Sequence, residues 1–166
     1  MIPRSALFTL LLASLLLAGC GFRLAGSIDN DSLAGTRIVD ASHTGSSDLV
    51  WSLEQDLKLR GVPAVGEGEN RRILRILEES WERRPLTLTS GARTAEYELV
   101  GRAEFELLGR DGRVLIPPRS IIADAVYLRD GDRLLGSSQE EARLRQEIQG
   151  ELVRRILTAV AAVGST

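Results

Sequence analysis

The stretch "EYELVGRAEFEL", Glu96 to Leu107, decides the architecture of this 166-residue chain. Tyr97, Leu99, Gly101, Ala103, Phe105 and Leu107 take every second position, while Glu96, Glu98, Arg102, Glu104 and Glu106 fall between them. Successive side chains of a strand point to opposite faces, so this period of two predicts a strand with one buried and one wet face. Working backwards, Ile73 to Leu88 is rich in Ile, Leu, Trp and Thr and leads into "TSGAR", Thr89 to Arg93. Gly91 permits a tight reversal there, and a hairpin is the simplest reading. Working forwards, Asp111-Gly112 marks a second turn, and Arg119 to Arg129, with Ile121, Ile122, Val126 and Tyr127, reads as a further strand. Pro117-Pro118 interrupts the pairing and implies an edge or a bulge.

Towards both ends the period lengthens. Ser138-Gln139-Glu140-Glu141 fits a capping box, in which Ser138 accepts a backbone N–H and Glu141 reaches back. Leu144, Ile148, Leu152, Ile156, Leu157, Val160 and Val163 then keep to one side for about 25 residues of helix. Upstream, Arg37-Ile38-Val39 suggests a first strand, and from Ser47, an N-cap, Leu49, Val50, Leu53 and Leu57 recur at helical spacing up to Gly61 and Pro63. "GVPAVGEGEN", Gly61 to Asn70, reads as a loop. The order β-α-β-β-β-α predicts an α+β fold, a sheet of about four strands with two helices packed on one face.

The N-terminus reads differently from the rest. Arg4 precedes Ala6 to Gly19, an uncharged run of 14 residues built mostly of leucine and alanine. A spanning helix needs about 20, so a removable secretory signal is the better reading. Leu17-Ala18-Gly19-Cys20 is similar to a bacterial lipobox: an apolar residue, two small residues and the cysteine that becomes lipidated. Cys20 is the only cysteine in the chain, so a disulfide half has no partner, and a free buried thiol would be odd beside a signal sequence. Three segments follow: a lipoprotein signal peptide over 1–19, a lipidated N-terminal tether over 20–35, and one α+β domain over 36–163. Removing the first 19 of 166 residues leaves 147, a usual length for one domain, and shifts the formal net charge from −2 to −3 because only Arg4 is lost. A nucleic-acid partner is not expected of such a chain. All basic residues except Lys58 are arginines, whose planar fork suits phosphate, although a GC-rich genome would also produce this bias.

Catalytic chemistry has little to build on. The single histidine, His43, lies in the polar stretch "DASHTGSSD" and reads as a solvated loop residue. No G-x-S-x-G, H-x-x-x-H or C-x-x-C spacing occurs, and Gly66 and Gly68 do not open a phosphate loop. Glu78-Glu79 reads as a solvated face and Glu140-Glu141 as a cap. The chain reads as a non-enzyme without metal or cofactor.

The lipobox, the mature start Cys20-Gly21-Phe22-Arg23-Leu24, "LKLRGV" (Leu57 to Val62), Thr94-Ala95-Glu96-Tyr97, "VLIPPR" (Val114 to Arg119), Val126-Tyr127 and the final helix follow one another in an order that resembles the LPS-assembly lipoproteins of the LptE family. The resemblance implies a lipoprotein held at the outer membrane of Gram-negative bacteria by diacylglycerol and N-acyl lipid on Cys20. It further implies that the domain plugs the lumen of an LptD-type β-barrel, helps that barrel assemble and serves delivery of lipopolysaccharide to the outer leaflet. Direct lipopolysaccharide contact is implied near the hairpin and the start of the last helix. The candidates are Ser90, Gly91 and Arg93 at the hairpin end, helped by Arg84 and Arg119; the tip Ser90-Gly91-Ala92 and the helix approach Leu135-Gly136-Ser137-Ser138 carry no basic residue. The rival class is a free-standing, periplasmic-facing lipoprotein binding module without a barrel partner. It would share the lipobox and the α+β core, but seven aromatic residues in the chain give no sign of an aromatic-lined pocket.

Overall fold

A computed structural model describes Ile28 and residues 30–42, 47–63, 72–88, 94–130 and 134–164. The signal segment 1–19, Cys20, His43 and the hairpin connection 89–93 lie outside these residues. The elements are α1 (Asn30–Leu33), β1 (Thr36–Asp40), α2 (Asp48–Leu59), β2 (Arg72–Leu88), β3 (Thr94–Leu108), β4 (Val114–Asp130) and α3 (Leu134–Gly164). One sheet runs in the order β1-β2-β3-β4. The pairs β2–β3 and β3–β4 are antiparallel, as hairpins require, whereas β1 lies parallel to β2 and is joined to it by a crossover containing α2.

The alternation in β3 becomes the core. Leu99, Gly101, Ala103, Phe105 and Leu107 are all buried on one face. Register extends that face across the sheet: Leu74 and Ile76 of β2 lie opposite Leu107 and Phe105, and Ala123 and Tyr127 of β4 lie opposite Gly101 and Tyr97. The helices cover this face. From α3, the side chains of Leu144, Ile148, Leu152, Val153, Ile156, Leu157 and Val160 are buried, more than any other element supplies. Each is worth roughly 1.5–3 kcal/mol when fully buried. From α2, Leu49, Leu53 and Leu57 enter the same core at i, i+4 and i+8.

Two carboxylates from the sheet hold the start of α2. Ser47 is its N-cap, as its sequence predicts, with its Oγ accepting from the Val50 N–H at 3.4 Å. The same hydroxyl donates to Glu79 Oε2 at 2.5 Å, and the Leu49 N–H donates to that oxygen at 3.1 Å. Asp40, at the end of β1, accepts from the Ser42 hydroxyl at 2.6 Å and from the Ser47 N–H at 3.0 Å. The Ser42 hydrogen bonds lower the Asp40 pKa. Glu79 is therefore a tie between layers and not part of a solvated face: a negative group at a helix N-terminus satisfies donors that have no partner inside the helix. At the other end Gly61, with φ of 75°, lets the Val62 N–H reach the Leu57 carbonyl and closes the helix.

Two boundaries differ from expectation. The tether expected over 20–35 has become folded chain by Asn30, since α1 forms one helical turn, Leu33 is wholly buried, and Ile28 packs on the core. The last helix spans 31 residues and begins at Leu134, so Ser138 sits inside it and no capping box starts there. Glu141 is drawn instead to the sheet, where it accepts from the Tyr127 hydroxyl at 2.8 Å.

The prolines behave as edge residues. β4 is one strand of 17 residues that continues through Pro117-Pro118, and the pairing steps from Leu107↔Ile116 to Phe105↔Arg119 around them. Pro85 falls on the part of β2 beyond Ile76, where β1 has already ended. Gly112, with φ of 78°, makes the β3–β4 turn, where Gly109 N–H donates to the Arg113 carbonyl at 2.7 Å. On the outer side of β4, Arg155 donates to the Ile122 carbonyl at 2.6 Å, which blunts the open edge.

Helix and sheet approach closely at Gly101. A Cβ there would stand 2.6 Å from Ile148 Cγ2 and 3.1 Å from the Trp81 ring. Gly101→Ala is expected to lower stability by about 1–3 kcal/mol through overpacking. Equilibrium denaturation that leaves the midpoint unchanged would contradict this contact.

Candidate functional site

The two faces of the sheet present different chemistry. The open face is charged and paired across strands. Arg75 of β2 meets Glu106 of β3 at 2.6 Å, and the pair leaves Glu106 only 8% exposed despite its place on the wet side. Arg84 lies 2.5 Å from Glu82 and 3.8 Å from Glu98, and its guanidinium holds the Glu82 carboxyl below the ordinary range. Arg102 reaches the Ser120 hydroxyl at 3.4 Å, and Thr87 donates to Glu96 at 3.1 Å. Along the outer strand of the same face, Ile122, Val126 and Leu128 are exposed opposite Arg102, Glu98 and Glu96. The surface is thus a paired polar field with an apolar border.

On the covered face, at the end of the sheet nearest the β2–β3 connection, arginines and aromatics meet the first turns of α3. Glu141 is shared by the Tyr127 hydroxyl and Arg83, whose Nη1 lies 3.4 Å away, and Arg145 stands at 3.9 Å. Arg83 lies over the Tyr97 ring at 5.4 Å, Arg145 over Trp81 at 4.8 Å, and Tyr97 and Tyr127 are 6.0 Å apart. Cation–π contacts of this kind orient a guanidinium without neutralising it. Two half-exposed guanidiniums therefore face one carboxylate, and an anion with several oxygens could bridge them. A groove lined by Glu141, Arg145, Gln146 and Gln149 runs beside this cluster.

The expected contact residues fare unevenly. Ser90, Gly91 and Arg93 lie outside the described residues. Arg84 is on the open face, and Arg119 is on the covered face with its guanidinium 5.9 Å from the Phe105 ring. Their β3 neighbours, Glu98 and Phe105, are seven positions apart, or roughly 23 Å at ~3.3 Å per residue. The structure does not bring Arg84 and Arg119 together. Arg83 and Arg145 are the residues that sequence reasoning passed over. Their signal was present, because Arg83 falls on the opposite face from Arg84, and Glu141 and Arg145 stand one helical turn apart.

A four-stranded mixed sheet, backed on one face by a long C-terminal helix and preceded by a lipobox-like segment, is the plan of a small lipoprotein domain. Solved structures bear out that class. Rare lipoprotein B from Shewanella oneidensis superposes with a TM-score of 0.64 at 27% identity, over 76% of this chain and 94% of that one. Lipoprotein B from Nitrosomonas europaea gives a TM-score of 0.68 at 25% identity, over 88% of this chain and 94% of that one. A family model described as LptE, lipopolysaccharide-assembly, matches residues 31–160. The LPS-assembly lipoprotein LptE of Pectobacterium atrosepticum is 30% identical over 165 residues, spanning 93% of this chain and 87% of its own length. The chain belongs to the LptE family.

The Tyr127–Glu141 contact has a signature in pH. Burial, and then the Glu141 carboxylate, pushes the Tyr127 hydroxyl above its ordinary value. A raised folded-state value contributes stability that is complete below the unfolded tyrosine value of ~10 and is lost as pH rises through the folded value. The stability advantage of the wild type over Tyr127→Phe is expected to shrink on raising the pH above ~10. Parallel denaturation curves for the two proteins across that range would refute the assignment.

Proposed function

We propose that this chain is a non-catalytic outer-membrane lipoprotein, anchored through acylated Cys20, that plugs an LptD-type β-barrel, helps it assemble and serves lipopolysaccharide delivery to the outer leaflet. The observation that carries this reading is the one-sided cover of the sheet. Among the described residues, three strands of 15–17 residues have helices on one face only, and their open face is a field of paired arginines and carboxylates. Barrel lumens are polar, so a rigid wall of paired charges can line up against one without burying unmatched groups. Family membership supplies the process, lipopolysaccharide assembly, and the relative from Pectobacterium atrosepticum bears the same description.

Arg83 and Arg145 extend the proposal to lipopolysaccharide itself. Phosphorylated glycolipid offers oxygens for the two guanidiniums. Ser90, Gly91, Arg93 and Arg84 remain the candidates on the hairpin side, with Arg119 a separate contact at the opposite end of the sheet.

Gentle detergent extraction of the tagged protein at native expression, followed by mass identification and stoichiometry, tests the partner. A large β-barrel recovered one-to-one is the expected result. The lipoprotein recovered alone would replace the plug with the free-standing binding module. In cells lacking the barrel, Cys20→Ala is expected to shift the protein from the membrane to the soluble fraction with its cooperative melting intact; continued sedimentation with membranes would rule out the lipid anchor.

A further inference from the structure

The outer side of α2 carries two large apolar residues that the core does not use. Trp51 is 64% exposed and Leu59 is 87% exposed, the highest value among the large hydrophobic residues of the described chain. They stand eight helical positions apart, about 12 Å at ~1.5 Å per residue. Both line a groove between α2 and α3, together with Gln55, Gln149, Gly150 and Val153 among others. Trp51 and Leu59 are its most exposed apolar members.

The chain enters the fold beside this groove. Asn30 Nδ2 donates to the Arg60 carbonyl at 2.9 Å, one residue from Leu59. Ile28 packs on the core, and Cys20 precedes it by eight residues, a reach of less than ~30 Å even when fully extended. Whatever surface holds the acyl chains is therefore held close to Leu59. A tether of this length turns a weak contact into an intramolecular one with a high effective concentration. Tryptophan beside an aliphatic side chain suits a membrane interface, where one part of the ring is apolar and the indole N–H stays wet.

Charge selects the kind of lipid. The exposed side of α2 carries Asp48 and Glu54 against Lys58, while half-buried Asp56 is paired with Arg60 just past its end. Nearly balanced charges of both signs, with an excess of one carboxylate, match the paired charges of a zwitterionic headgroup better than a uniformly anionic surface. We propose that Trp51 and Leu59 form a lipid-contacting patch, through which the domain rests on a zwitterionic membrane surface before it engages a partner. The proposal rests on the lipid anchor at Cys20 and goes beyond the plug, because it assigns a surface to the partner-free state.

The test uses the acylated mature chain, without a barrel, on vesicles of phosphatidylethanolamine and phosphatidylcholine with or without bromine on the acyl chains. Trp81, the only other tryptophan, is held by Glu79 and Arg145, so the difference between wild type and Trp51→Phe isolates the Trp51 emission. Brominated lipid is expected to quench that emission by more than half, and Leu59→Asp to return it towards its value in water. Unquenched Trp51 in protein that is acylated and floats with the vesicles would overturn the patch while leaving the anchor in place. Intact mass without acyl groups, together with failure to float, would overturn the anchor and the patch together. A Trp51 shift that appears without lipid as the protein is concentrated would assign the face to a second copy and overturn the lipid contact.

Discussion

The closeness of one helix to one strand governs this fold. α3 lies over β3 so tightly at Gly101 that even a methyl group has no room beside Ile148 and the Trp81 ring. That approach lets a long helix bury a stripe of large side chains against a sheet whose own central residues, Gly101, Ala103 and Ala123, are small. Bulk on the helix fits a shallow trough on the sheet, as close-packed interiors require. With the helix seated, Tyr127 is buried, Glu141 meets it, and the arginine and aromatic cluster at that end acquires its geometry.

A second, polar constraint places the smaller helix. Asp40 and Glu79 come from adjacent strands and converge on Ser47 from two sides. The donors at the start of α2 are thereby satisfied by charged groups fixed in the sheet, and such bonds are stronger than neutral ones. This arrangement sets the outer side of α2 at a defined angle, which in turn decides which of its residues face outward.

Much of this was legible in the sequence, and the reasons differ by element. β3 could be read directly because its alternation is strict, and α2 because Ser47 and Gly61 bracket leucines at helical spacing. The edge position of β4 followed from the chemistry of proline. What could not be read depended on contacts between distant residues. Glu79 resembled any exposed strand glutamate until Ser47 was known to stand beside it. Ser138 and Glu141 had the right spacing for a cap, but Tyr127 competes for the glutamate, and local pattern cannot anticipate a tertiary partner. Leu33 sits in a polar stretch of small residues, so its burial shows only when α3 is in place. For the candidate site, the register that separates Arg84 from Arg119 and gathers Arg83 with Arg145 required the sheet itself.

The parallel pairing of β1 carries a kinetic consequence. β2, β3 and β4 follow one another as a meander whose pairing can start beside its short connections, so they can assemble early. β1 pairs with residues 36 positions later, Thr36 with Arg72, and α1 packs against α3, about a hundred residues further along. Contacts of such sequence separation carry a larger loop-closure cost and form slowly. The N-terminal part of the described fold is therefore the last to be locked. Completion of the core therefore waits on α1 and β1, which must find their places on a sheet and a helix that follow them in the chain.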